Sequence, residues 1–84
     1  MDLPNIGTTL AEKLHMVGIY NEIDLKQTGS ENAIIKIATL ENGGACINML
    51  YAIEGAIQGI RWHSLSKERK EELNAFYRMV SNKR

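Results

Sequence analysis

Ala45-Cys46-Ile47-Asn48-Met49-Leu50-Tyr51-Ala52-Ile53-Glu54-Gly55-Ala56-Ile57-Gln58-Gly59-Ile60 is the most apolar stretch of the chain, and the fold has to be built around it. Eleven of its sixteen residues are hydrophobic and only Asn48, Glu54 and Gln58 are polar, so it reads as a central, largely buried helix. Its longest unbroken apolar run is five residues, 49–53, far short of the roughly 20 that a membrane helix needs. Gly55 in the middle of a helix costs about 1 kcal/mol relative to alanine. That cost is understandable if another backbone packs closely there. Glu54 flanks the apolar arc; it reads as a surface carboxylate or the partner of a base such as Arg61 or Arg69, with a pKa-shifted acid as the alternative.

Outward from this helix, glycines rather than prolines divide the chain. A first helix begins near Thr8 or Thr9, where Thr9 and Glu12 have capping-box spacing; it carries Leu10, Leu14 and Val17 and stops at Gly18. Asn21 can cap a short second helix with Ile23 and Leu25, closed by Gly29. Ser30 is expected to cap a third, with Ala33, Ile34, Ile37, Ala38 and Leu40 at helical spacing until Gly43 and Gly44 break it. On the other side, Ile60-Arg61-Trp62-His63-Ser64 alternates briefly, but a single strand has nothing to pair with. It reads as an extended connection anchored by Trp62. A fifth helix begins near Ser66 and places Leu73, Phe76, Tyr77 and Val80 at i, i+3, i+4 and i+7, with the mixed charges of residues 67–72 on its opposite face. The expected fold is all-α, a compact bundle of about five helices with helix-hairpin-helix-like turns, forming one domain over residues 1–84.

Ten Lys and Arg balance ten Asp and Glu, so the formal net charge is zero. Tight, charge-driven binding to a polyanion is thereby disfavoured, because such affinity scales with the cations brought to the phosphates. The zero is composed of unlike halves. Residues 1–42 hold three lysines against six carboxylates, net −3, and residues 43–84 hold seven cations against four carboxylates, net +3. Either the halves attract each other or the basic end faces an anionic partner. The single cysteine can form neither an internal disulfide nor a zinc site, which points to a reducing compartment. Met1-Asp2-Leu3-Pro4 lacks the basic head and apolar stretch of a signal peptide, so a cytoplasmic protein without membrane contact is the expectation.

Catalysis finds little support. Cys46 sits near a helix start with only His15 and His63 as possible bases; with no third partner fixed, it reads as a small hydrophobe. The histidines have no carboxylate at a metal-binding spacing. No catalytic residue, metal, cofactor or small-molecule substrate is therefore assigned. The feature that stands out is Leu3-Pro4-Asn5-Ile6-Gly7-Thr8-Thr9 running directly into a helix, the layout of the second half of a helix-hairpin-helix element. Amides at such a turn form a phosphate site. Ile6, Gly7, Thr8, Thr9 and Lys13 are thus the candidate nucleic-acid contacts, with Arg61, Lys67, Arg69, Lys70, Lys83 and Arg84 as candidate steering charges and double-stranded DNA as the candidate partner. The plainer reading of the same turn is a helix start that packs Leu3 and Ile6 into the core. Gly43 and Gly44 form a second hairpin of related kind. The helix expected before Leu3 is absent from the chain, and the apolar face of the fifth helix is expected to fill its place.

Leu3-Pro4-Asn5-Ile6-Gly7, Leu10-Ala11-Glu12-Lys13-Leu14, Gly18-Ile19, Asp24-Leu25, Leu50-Tyr51-Ala52-Ile53-Glu54-Gly55-Ala56, Gly59 with Trp62, and Leu65 with Glu68-Arg69-Lys70 together resemble the C-terminal domain of the TfoX/Sxy family over residues 3–77. These are bacterial regulators associated with competence and DNA uptake. Asn21 stands where the family tends to have threonine and Ser66 where proline often opens the last helix; both suit helix starts. The resemblance implies a stand-alone C-terminal domain in transcriptional regulation or DNA-associated assembly. Glu54, Gly55 and Trp62 belong to the family pattern, and their chemistry gives them a packing role. The rival is a protein-interaction or homodimerisation module without nucleic-acid binding, for which Met16 and Met79 near helix ends supply adaptable apolar surface.

Overall fold

A computed structural model of the chain describes residues 3–40 and 44–82. Gly43, Lys83 and Arg84 lie outside the described residues. The elements are α1 (Thr8–Met16), α2 (Glu22–Thr28), α3 (Ser30–Ala38), α4 (Ile47–Gln58) and α5 (Lys67–Asn82), with a 3-10 turn at Trp62–Ser64 between the last two. Among the described residues the fold is an all-α bundle of five helices, as the hydrophobic spacing predicts.

Local chemistry explains most boundaries. At α2 the Asn21 side chain accepts the Asp24 amide at 2.8 Å, while the Asp24 carboxylate accepts the Tyr20 amide at 3.1 Å. At α5 the Ser66 hydroxyl accepts the Arg69 amide at 3.1 Å. Gly18 (φ +87) and Gly59 (φ +73) end α1 and α4 in the left-handed region. Each is followed by an amide that reaches back five residues in a Schellman motif, Ile19 to the Leu14 carbonyl and Ile60 to the Gly55 carbonyl, both at 2.9 Å.

Four local expectations are corrected. Helix α1 is capped by Gly7, with the Ala11 amide on the Gly7 carbonyl at 2.9 Å, so Thr9 is already inside the helix and no capping box forms. Gly29 rather than Ser30 is the N-cap of α3, which frees the Ser30 hydroxyl for a buried role. The segment after α4 is a 3-10 turn, not an extended connection. Cys46 is exposed at the N-cap of α4, not buried as a small hydrophobe.

Helix α4 is the central element, as its composition predicts. Its Ala52, Ile53 and Ala56 pack with Leu10, Leu14, Ile19, Leu25 and Ile37 in one apolar cluster. Its Leu50 packs with Ile34, Leu65 and Leu73 in a second. The apolar face of α5 does turn inward: Leu73 is fully buried, and the Tyr77 hydroxyl donates to the Ala45 carbonyl at 2.9 Å. It packs on α3 and α4, in the second cluster, whereas α1 belongs to the first. Helix α5 therefore covers the α3–α4 hairpin and does not take the place of a helix beside α1.

Candidate functional site

The turn before α1 is built by the order Pro4-Asn5. The Ile6 amide donates to the Leu3 carbonyl at 3.2 Å, and Asn5 adopts φ +68, which asparagine tolerates better than most residues. That backbone aims the Asn5 side chain across the molecule. Its Nδ2 donates to the Ile60 carbonyl at 2.8 Å and its Oδ1 accepts the Trp62 amide at 3.1 Å. The clamp lies directly over Gly55. A Cβ there would stand 2.5 Å from Asn5 Nδ2, 2.9 Å from the Ile60 carbonyl oxygen and 3.0 Å from the Trp62 nitrogen. The close backbone approach that a mid-helix glycine implied is thus the Ile60 and Trp62 main chain, with Asn5 joining it.

The clamp fixes the candidate turn on the body of the bundle. Ile6 packs its side chain against the first cluster and its amide donates to the Leu3 carbonyl. Gly7, Thr8 and Thr9 are exposed, and no side chain caps the helix there. First-turn amides have no acceptor within their helix and carry the positive end of its dipole. The Lys13 ammonium lies near Gly44, 3.7 Å from where a Cβ on that glycine would stand.

The proposed steering charges differ sharply. Arg69 is engaged by Glu54 at 3.1 Å, Glu72 at 3.2 Å and Glu31 at 3.4 Å, and its charge is neutralised inside the fold. Lys70 donates to the His63 carbonyl at 3.3 Å and lies over the Trp62 ring at 5.7 Å. Arg61 and Lys67 are exposed, and Arg61 has no hydrogen-bond or ion partner among the described residues. The Asn5 clamp sets it beside the turn at residues 3–6.

Trp62 is the anchor of this region. It stacks on Tyr51 with ring centroids 5.8 Å apart and on His63 with centroids 3.9 Å apart. Glu54 is the partner of Arg69, one of the two bases expected for it. Only 8% exposed, its carboxylate also accepts the Ser30 hydroxyl and the Gln58 amide, both at 2.6 Å. Burial pushes this carboxyl up, but the hydrogen bonds from Arg69, Ser30 and Gln58 and the Arg69 charge outweigh it and hold the group below the ordinary carboxylate value. Hydrogen bonding to Glu54 leads the causes that push Arg69 upward. A carboxyl depressed on folding binds protons more readily when unfolded. Its stabilising contribution is present above the unfolded value of about 4.3 and is lost as pH falls through the lower folded value. Urea unfolding followed through that range is expected to show a steeper loss on acidification for the native protein than for Glu54→Gln. Equal slopes would place the acid sensitivity elsewhere.

Asn5 and Ser30 are the contributors that sequence reasoning missed. Pro4-Asn5 marks a turn, yet nothing local indicates that the amide reaches residues 60 and 62. Among the described residues no three His, Cys, Asp or Glu side chains gather as a metal set, and no helix is long and apolar enough to cross a membrane.

The family model for the TfoX C-terminal domain matches residues 1–77. A crystal structure of a protein of unknown function from Listeria monocytogenes, in a tetragonal form, is 42% identical over 94% of this chain and 96% of its own, with a TM-score of 0.89. An uncharacterized protein from Listeria monocytogenes in a triclinic form is 41% identical over 95% of this chain and 90% of its own, with a TM-score of 0.91. No curated protein matches the chain.

Proposed function

The chain belongs to the TfoX C-terminal domain family, and from that membership we propose that it is a non-enzymatic, competence-related regulatory module that holds a nucleic-acid backbone through the turn before α1. The observation that carries this reading is the start of α1 at Gly7, Thr8 and Thr9, which has no side-chain cap, is exposed and is held in place by the Asn5 clamp. Such a helix start favours a phosphate through its amides and its dipole, without reading bases. Arg61 beside it and Lys67 supply approach charge, and zero net charge keeps the affinity low.

Fluorescence anisotropy with labelled duplex DNA tests this. The native protein is expected to bind with a Kd of about 10⁻⁴ to 10⁻⁶ M, weakening steeply between about 50 and 200 mM salt. Lys13→Glu, checked for an unchanged melting curve, is expected to weaken binding by about tenfold. No binding at low salt, or indifference to that substitution, would reject the site.

A second reading is supported by surface apolar residues. Met16, Tyr20 and Ile23 are each more than half exposed around the α1–α2 junction, and Met79 is half exposed on α5. Such surface suits a protein partner or a second copy. Light scattering separates the readings: a monomer that binds DNA favours the first, and a stable dimer without DNA affinity favours the second.

A further inference from the structure

The turn before α1 and the 3-10 turn at Trp62–Ser64 leave a cleft of about 330 Å³ between them, lined by Pro4, Asn5, Ala52, Arg61, Trp62 and His63. Its size falls at the small end of ligand sites, about 300–1,000 Å³. Around it, the Arg61 guanidinium, the His63 imidazole and the Trp62 indole N–H have no hydrogen-bond or ion partner among the described residues. The neighbouring cations are committed elsewhere, Arg69 to three carboxylates and Lys70 to the His63 carbonyl. The walls are rigid. Asn5 is clamped to Ile60 and Trp62, and the Trp62 ring stacks on Tyr51 and on His63.

Two chemistries meet in this cleft. His63 is exposed and stacked on Trp62, so it extends the indole as an outward ring against which a planar base can stack. Pro4 and Ala52 add apolar wall. Arg61 presents an unengaged planar fork, the side chain best matched to a phosphate. We propose that this cleft seats one nucleotide unit, its base against His63 and Trp62 and its phosphate on Arg61. A free mononucleotide and the phosphorylated end of a strand offer the same chemistry. The site is separate from the amides at the start of α1 and does not depend on their gripping duplex DNA.

Trp62 is the only tryptophan of the chain, so its fluorescence reports occupancy without a label. Titration of the full chain with adenosine 5′-monophosphate is expected to give a saturable change. Adenosine alone and inorganic phosphate alone are each expected to bind about tenfold more weakly, since each makes only part of the contacts. Arg61→Ala removes a side chain without a hydrogen-bond or ion partner among the described residues and should leave the fold intact. It is expected to weaken the mononucleotide by about tenfold while leaving adenosine unchanged. A 5′-phosphorylated hexanucleotide that binds at least as tightly as the mononucleotide assigns the site to strand ends. Failure of the hexanucleotide alone assigns it to free nucleotide; both outcomes uphold the proposal. No saturable change with either probe, or equal affinity in Arg61→Ala, overturns it. Lys13→Glu should leave mononucleotide binding untouched, which distinguishes failure here from failure at the α1 turn.

Discussion

Replacing Arg69 with methionine is expected to lower the unfolding free energy by about 3 kcal/mol, the low end of what removing one partner of a buried ion pair costs. The low end applies because the Arg69 side chain is 28% exposed, although that of Glu54 is only 11% exposed. Ser30 and Gln58 would still donate to Glu54, but the charge opposite it would be gone, and burial would then push its carboxyl up. For a domain of this size the loss corresponds to a fall in the melting midpoint of roughly 12–24 °C. Calorimetry or urea unfolding at neutral pH measures it directly. Arg69→Met combined with Glu54→Gln is expected to recover much of the loss, since no unpaired charge then remains in the interior. A double variant as unstable as Arg69→Met would mean that packing of the arginine stem, not its charge, holds this junction of α3, α4 and α5.

The second large effect is expected at Gly55, with a sign opposite to helix propensity. In an open helix, alanine in place of glycine gains about 1 kcal/mol. Here the added methyl meets Asn5 Nδ2 at 2.5 Å, and the side chain alone can yield. The Ile60 oxygen at 2.9 Å and the Trp62 nitrogen at 3.0 Å are main chain held by the end of α4 and cannot yield cheaply. Overpacking of this kind costs about 1–3 kcal/mol, and displacing Asn5 removes two hydrogen bonds worth about 1 kcal/mol each. Gly55→Ala is therefore expected to destabilise by about 2–4 kcal/mol after the propensity gain. Its cost should shrink in an Asn5→Ala background, because the two positions share one contact. Additive losses would place the strain on the Ile60 and Trp62 backbone alone.

What was legible in the sequence divides along the chain distance over which each cause acts. Asn21, Ser66 and Gly18 each act within a turn of where they stand, and they mark their boundaries correctly. The centrality of α4 is a matter of composition, and it also holds. Gly7 displaced Thr9 as the cap because the turn at Pro4-Asn5 starts the helix two residues earlier, a choice the capping-box spacing cannot register. Ser30 looked like a cap because its use as a donor to Glu54 depends on a contact 24 residues away. The Asn5 contacts span 55 and 57 residues, beyond any local pattern. Gly55 was the only trace of them, as a cost without a visible reason. The candidate site shows the same limit for charge. Arg61 and Arg69 are the same residue type eight positions apart, and only the fold separates the arginine that is neutralised from the one that is available.

Helix α4 supplies a wall to both apolar clusters, and the bundle's cooperativity follows from that sharing. A molecule whose two cores lie on separate elements can open one room while the other stays shut. Here the partition belongs to both rooms, so pulling it away from one side removes it from the other. The side built on α1 and α2 and the side covered by α5 must therefore form and melt together, with α4 as the last element to lose its shelter.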